Sequence, residues 1–211
     1  MIRPAPWIAL PLLLAACTAE SSGKDESKTY DVQGFNHISA ATGVIVTLKQ
    51  GPFAVSAKST GGDLSHLRIE LSGQQLKIAH EGLLTLGHSA TYEVSVAAPD
   101  VKELEAAAGA QLSAADLNLS DVKLLAAAGG IMKLSGTCWG AKIDAAAGGI
   151  INAADLKCQT ADIKAAAGGQ VEITATDKAN ASAAVGGIVT ISGNPPNATK
   201  DATVGGVINV K

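Results

Sequence analysis

The stretch Ile143-Asp144-Ala145-Ala146-Ala147-Gly148-Gly149-Ile150-Ile151 decides how this chain folds. Apolar residues alternate with others on both sides of a glycine pair, which is the pattern of two strands with one buried face joined at a corner. The unit recurs: Gly109-Ala110, Gly129-Gly130, Gly148-Gly149, Gly168-Gly169, Gly186-Gly187 and Gly205-Gly206 follow at intervals of 20, 19, 20, 18 and 19 residues. Small residues precede them, at 106–108, 126–128, 145–147, 165–167 and 183–185, and an earlier cousin lies at 38–48 with Gly43 in the glycine place. An interval of about 19 residues is too short for paired-helix repeats and fits one coil of a β-solenoid. Alanine runs by themselves favour helix. The glycines that end every run and the β-branched residues that follow argue for strands.

Period two assigns the faces. Counting back from each first glycine, the fifth, third and first residues form the inward set, as in Ile143, Ala145, Ala147 and Ile163, Ala165, Ala167. Counting forward, the third and fifth are inward: Met132 and Leu134, Ile151 and Ala153, Val171 and Ile173, Val189 and Ile191, Ile208 and Val210. Stacked coils repeat about every 4.8 Å, so each position becomes a column, and columns of alanine and glycine let opposite walls approach. The glycines are expected to take positive φ or to form a bulge at a corner. If parity carries across the pair, Ala107, Ala127, Ala146, Ala166 and Ala184 face outward. So do Ile131, Ile150, Ile188 and Val207, with Gln111 and Gln170 between them. They form an exposed apolar stripe, a candidate interaction surface. A bulge at the glycines would instead bury the isoleucines, and both readings stand at this point.

Composition narrows the function classes. Hydrophobic residues make up 47% of the chain but aromatics only 3%, so the core must be thin. A net charge of −3 offers no basic stripe for nucleic acid. The only arginines are Arg3 and Arg68, which nearly excludes bidentate phosphate or carboxylate clamps.

Residues 1–16 read as a targeting segment, with Arg3 at its start and an apolar core too short to span a bilayer. Leu14-Ala15-Ala16-Cys17 resembles the lipobox of bacterial lipoproteins, which implies cleavage before Cys17 and lipidation of its thiol. A plain signal peptide with Cys17 incidental is the alternative. Thr18 after the cysteine implies, by the same resemblance, sorting to the outer membrane of a Gram-negative envelope. Residues 17–29 are expected to be the lipidated cysteine and a flexible polar tether, and residues 30–211 one β-domain. Within it, 49–98 breaks the interval. Turn signals at Gly61-Gly62-Asp63 and Ser72-Gly73-Gln74 separate strands near 68–71, 76–79 and 92–97, expected as irregular N-terminal coils or hairpins.

On these residues the chain resembles the head GIN domain family of adhesins over about 33–211. Phe35-Asn36-His37-Ile38 with Gly43-Val44-Ile45-Val46 matches the family's start. Ala98-Pro99-Asp100-Val101-Lys102-Glu103-Leu104 matches its central segment, and Gly193-Asn194-Pro195 with Val204-Gly205-Gly206-Val207-Ile208-Asn209 its close. Family members carry Ser-Gly-Ser-Gly at turns where this chain has Ala-Ala-Gly-Gly, so its corners are more apolar. The resemblance implies an all-β, single-stranded, right-handed parallel β-helix at the cell envelope, with adhesion the role proposed for the family. The right hand is also general for parallel crossovers.

Candidate chemistry is sparse. Cys138 and Cys158 each lie ten residues before a repeat's first glycine, so they occupy equivalent places in neighbouring coils, at a separation a disulfide accepts. Outside the cytoplasm the pair is expected to be oxidised, two stacked buried thiols being the alternative. His37, His66, His80 and His88 lack metal-ligand spacing. Asp63 and His66 lie near serines, but no Gly-x-Ser-x-Gly elbow is present, and no Gly-Lys-Ser/Thr follows the glycine pairs. A β-helical polysaccharide-active enzyme needs clustered arginine, lysine and aspartate, and the domain has one arginine. The expectation is therefore a protein without catalytic site, cofactor or metal. It is held at the membrane by its lipid anchor, and its partner is a second copy or another envelope protein. A periplasm-facing protein that binds a partner or small ligand is the second reading.

Overall fold

A computed structural model describes residues 25–81 and 90–211. The targeting segment, the lipidation candidate Cys17, the tether up to residue 24 and His88 lie outside them. The described residues form fifteen strands: β1 (Glu26–Tyr30), β2 (His37–Ala41), β3 (Ile45–Gln50), β4 (Ala54–Thr60), β5 (Leu67–Ser72), β6 (Gln75–His80), β7 (Thr91–Ala98), β8 (Glu103–Ala107), β9 (Gln111–Ala127), β10 (Ile131–Ala146), β11 (Ile150–Ala166), β12 (Gln170–Ala184), β13 (Ile188–Ser192), β14 (Asn197–Thr203) and β15 (Val207–Val210). From β9 onward neighbouring strands pair in parallel, coil on coil. The chain is a β-solenoid.

Each regular coil has three sides. Along β9 the buried side chains are Leu112 and Ala114, then Leu117 and Leu119, then Val122, Leu124 and Ala126. Alternation slips at 115–116 and again at 120–121, where two successive residues face out, the strand turns, and the pairing with β10 is interrupted before resuming. The third corner is the glycine turn. We call the side after that turn face A, the short middle side face B, and the side leading into the next turn face C. Along the axis, face A runs β1, β4, β7, β3, then the first segments of β9 to β12, then β13 and β15. Face C runs β5, β6, β2, β8, the last segments of β9 to β12, and β14.

The N-terminal portion is built differently. β1 pairs antiparallel with β4, β4 with β7, and β5 with β6. Strands expected near 68–71, 76–79 and 92–97 are β5, β6 and β7. The polar stretch expected to be tether is shorter than its composition suggests, because Glu26–Tyr30 forms an edge strand. Four of its five residues stay exposed, and it gains its place through backbone pairing with β4 and the half-buried Tyr30 ring.

The core thins along the axis. One face C column reads Leu104, Leu124, Ile143, Ile163, Ala181, and the next reads Ala106, Ala126, Ala145, Ala165, Ala183. Phe35, Leu48, Leu64 and Tyr92 fill the N-terminal part, where the rings of Phe35 and Phe53 meet at 5.0 Å. One expectation is corrected here. Ala147 and Ala167, read as inward, are exposed at positive φ; the inward position is the second glycine of each pair.

Candidate functional site at the glycine corner

Every glycine corner is a four-residue turn. In Ala146-Ala147-Gly148-Gly149 the Gly149 N–H donates to the Ala146 carbonyl at 2.9 Å. Ala147 and Gly148, with φ of 48° and 74°, both lie in the left-handed region, as a type I′ turn requires. The same pairing of positive φ occurs at Thr42-Gly43, Ala108-Gly109, Ala128-Gly129, Ala167-Gly168, Val185-Gly186 and Val204-Gly205. The turns are laced along the axis: Gly109, Gly148 and Gly168 N–H groups donate to the Ala128, Ala167 and Val185 carbonyls at 3.1–3.2 Å.

The two glycines serve different needs. Around the first, a β-carbon would meet nothing, and glycine is favoured there by φ alone. At the second, φ is ordinary, but a β-carbon on Gly149 would collide with the Ala126 carbonyl of the coil beneath. Gly130, Gly169, Gly187 and Gly206 repeat that collision against Ala106, Ala145, Ala165 and Ala183.

The turn residue before the first glycine is the anomaly. L-residues pay about 1–2 kcal/mol to sit at left-handed φ, and asparagine, aspartate or glycine are the usual occupants of type I′ turns. This chain puts alanine there four times and valine twice, at φ near 48°. Val185 is 58% exposed and Val204 76%, so no buried contact compensates the strain.

Around these turns lie the residues singled out from the sequence. Ala127 and Ala146 are half-buried on the face C side, with Ala166 and Ala184 in the same column. On the face A side one column holds Ile45, Gln111, Ile131, Ile150, Gln170, Ile188 and Val207 in direct register. Ile131, Ile188 and Val207 are exposed and Ile150 is half-buried. Parity is kept across the pair, and the isoleucine column faces out. The result is a continuous ridge of alanine, glycine, isoleucine and valine along one corner of the prism. Sequence reasoning missed its crest, Ala128, Ala147, Ala167, Val185 and Val204, by assigning that position inward. The available signal was valine replacing alanine at 185 and 204 in a turn that suits neither.

Cys138 and Cys158 are directly paired on face B, with Cα atoms 4.4 Å apart, and form a disulfide that ties β10 to β11 inside the core.

The titratable residues assemble into no catalytic set among those described. Ser65 donates its hydroxyl to Asp63 rather than to a histidine, and its backbone N–H donates to the same carboxylate at 2.9 Å. These bonds, hydroxyl first, hold the Asp63 carboxyl below its ordinary range. His80 stacks on the Tyr92 ring at 4.9 Å and meets His66 edge-on at 6.1 Å. Burial, then the Asp63 charge, pushes the Tyr92 phenol up. His37 lies 3.8 Å from both Glu103 and Glu105, and Glu103 also accepts a bond from Lys123 at 2.8 Å. No three His, Cys, Asp or Glu side chains converge to hold a metal among the described residues.

The fold recurs in solved structures of adhesin-like proteins. One from Bacteroides fragilis, described as a putative adhesin, is 15% identical with a TM-score of 0.71, covering 90% of this chain and 99% of that one. One from Parabacteroides merdae, also described as a putative adhesin, is 16% identical with a TM-score of 0.51, covering 90% and 97%. At such identity the likeness concerns the fold. No curated protein matches the sequence significantly. A family model described as "Putative auto-transporter adhesin, head GIN domain" matches residues 34–195, most of the solenoid. The chain belongs to that head GIN domain family.

Proposed function

We propose that this chain is a non-enzymatic interaction scaffold of the cell envelope, anchored by lipid at Cys17, that engages a protein partner through the apolar ridge of its glycine corners. One observation carries the reading. Six successive turns hold an exposed alanine or valine in a backbone conformation that penalises it, where asparagine or glycine would relieve the strain. Stability gives no reason to keep such residues, whereas a dry contact with a partner does. The ridge is flanked by charges of both signs, Asp144 beside Lys164 and Lys133 in one column with Glu172, rather than by the aromatic and lysine rim of a surface that lies in a bilayer, which favours a protein partner over lipid. Family membership supports an adhesive role, and the lipobox-like Leu14-Ala15-Ala16-Cys17 supports the anchor and a place in the outer membrane.

The test uses the lipid-anchored full chain and its Ile150→Lys variant. Ile150 is half-buried on the ridge and its side chain points outward, so lysine there leaves the melting temperature nearly unchanged. Cross-linking on intact envelopes should capture a partner, or a second copy, with wild type and lose it with Ile150→Lys. Equal capture by both would reject the ridge as the contact surface. Loss of label from Cys17→Ser in cells fed a tagged fatty acid tests the anchor, and protease treatment of whole cells tells an outward-facing domain from a periplasmic one.

A further inference from the structure

Both axial ends of the solenoid carry a lysine where the inner rungs carry apolar side chains. At the far end, among the described residues, β14 pairs with β12 alone, and Lys200 lies opposite Ala181, extending the core-facing column Leu104, Leu124, Ile143, Ile163, Ala181. Ala181 is buried and residues opposite one another in a parallel pair share a face, so Lys200 lies on the inner side, where the open end of the solenoid leaves it exposed. At the near end, among the described residues, β1 pairs with β4 alone, and Lys28 lies opposite Ala57 at the head of the column Val94, Val46, Leu112, Met132. Its ammonium sits 5.2 Å from the centre of the Tyr30 ring.

These are the places where a β-solenoid is most exposed to self-association. An edge strand offers a row of unpaired backbone groups, and a second copy presents an edge of matching width. We infer that Lys28 and Lys200 are gatekeepers that prevent a second copy of this chain from stacking end to end. In a tail-to-tail junction, any antiparallel register of β14 with its copy that keeps inner faces aligned leaves Lys200 in the core. It then faces its own copy, Ala198 or Ala202. In a head-to-tail junction Lys200 falls over the β5 column of Leu67, Ile69 and Leu71, and Lys28 over Ile208 of β15. An ammonium buried without a partner opposes either contact.

Sedimentation velocity and negative-stain images of the full chain test it. The wild type and Lys200→Glu should remain one solenoid long. Lys200→Ile should form tail-to-tail dimers about twice that length, and Lys28→Val with Lys200→Ile should extend into filaments, with unchanged far-ultraviolet circular dichroism. Lys200→Ala, which restores the residue of the rung below, serves if the isoleucine variant misfolds. The inference is overturned if these variants stay at single length at about 0.1 mM, or form only side-by-side pairs. It is equally overturned if the wild type stacks end to end.

Discussion

The N-terminal part and the regular coils meet the same demand, closing a sheet on itself, with different residues. Residues 25–81 and 90–110 use bulky side chains and antiparallel strands; Phe35, Leu48, Leu64 and Tyr92 occupy the space and the corner column carries Val44 and Ala110. From Gly130 onward that same column holds only glycine, because each corner lies against the carbonyl of the coil beneath. The wide end tolerates irregular strands since large side chains fill what the backbone leaves. The narrow end has no such reserve, so its geometry must repeat and its glycines cannot vary. The difference teaches that identical-looking glycines are constrained by position along the axis as much as by φ.

The contrast can be broken most sharply at the corner column. Gly149→Ala should cost about 3 kcal/mol, since the collision is with backbone that packed coils cannot move. Gly148→Ala should cost only about 1–2 kcal/mol, the penalty of left-handed φ with open space around the side chain. Ala110→Gly, in the wide part, should cost less than either, about 1 kcal/mol. Urea midpoints of the three variants check the order. Equal losses at 148 and 149 would remove the distinction between the two glycines.

The disulfide sharpens the comparison in a second way. It closes a loop of 20 residues between two thin coils, for which chain entropy gives about 3 kcal/mol. With both cysteines replaced by serine, amide exchange should accelerate in β10 to β14 while β2, β3 and β8 stay protected. A uniform acceleration would mean that the two portions unfold as one unit.

The smallest effect belongs to the N-terminal loop. Because hydrogen bonds from Ser65 hold the Asp63 carboxyl below its ordinary value, its contribution is complete above about pH 4 and is lost as pH falls below that range. Asp63→Asn should therefore make melting slightly less sensitive to acid, read by comparing melts at neutral pH and near pH 3.

Much of this was legible in the sequence because the repeat fixes it. The interval, the inward columns Met132, Ile151, Val171 and Val189 and the register of Cys138 with Cys158 follow from period two and a nearly constant coil length, whereas the outward isoleucines needed the turn geometry, since a bulge would have buried them. The coil's three-sidedness was not legible. The parity slip at 115–116 is marked only by Asp116 and, in the next coil, Gly136, both at positive φ, and such isolated residues do not announce a corner in a sequence. Ala147 was misassigned because a type I′ turn with alanine at its first central position defies the usual preference. β1 was hidden by its polarity, since an edge strand held by backbone pairing needs few apolar residues. Lys200 is visible as an inner residue only once Ala181 is known to lie beneath it.

On the proposed reading, the strained, exposed crest of the ridge is kept for contact and not for stability. The direct measurement is urea unfolding of Ala128→Asn/Ala147→Asn/Ala167→Asn beside wild type, with envelope cross-linking of the same two proteins. We expect the asparagine variant to gain about 1 kcal/mol or more, since it relieves left-handed strain, and to lose its cross-linked partner. A variant that is less stable, or that is captured as well as wild type, would contradict it.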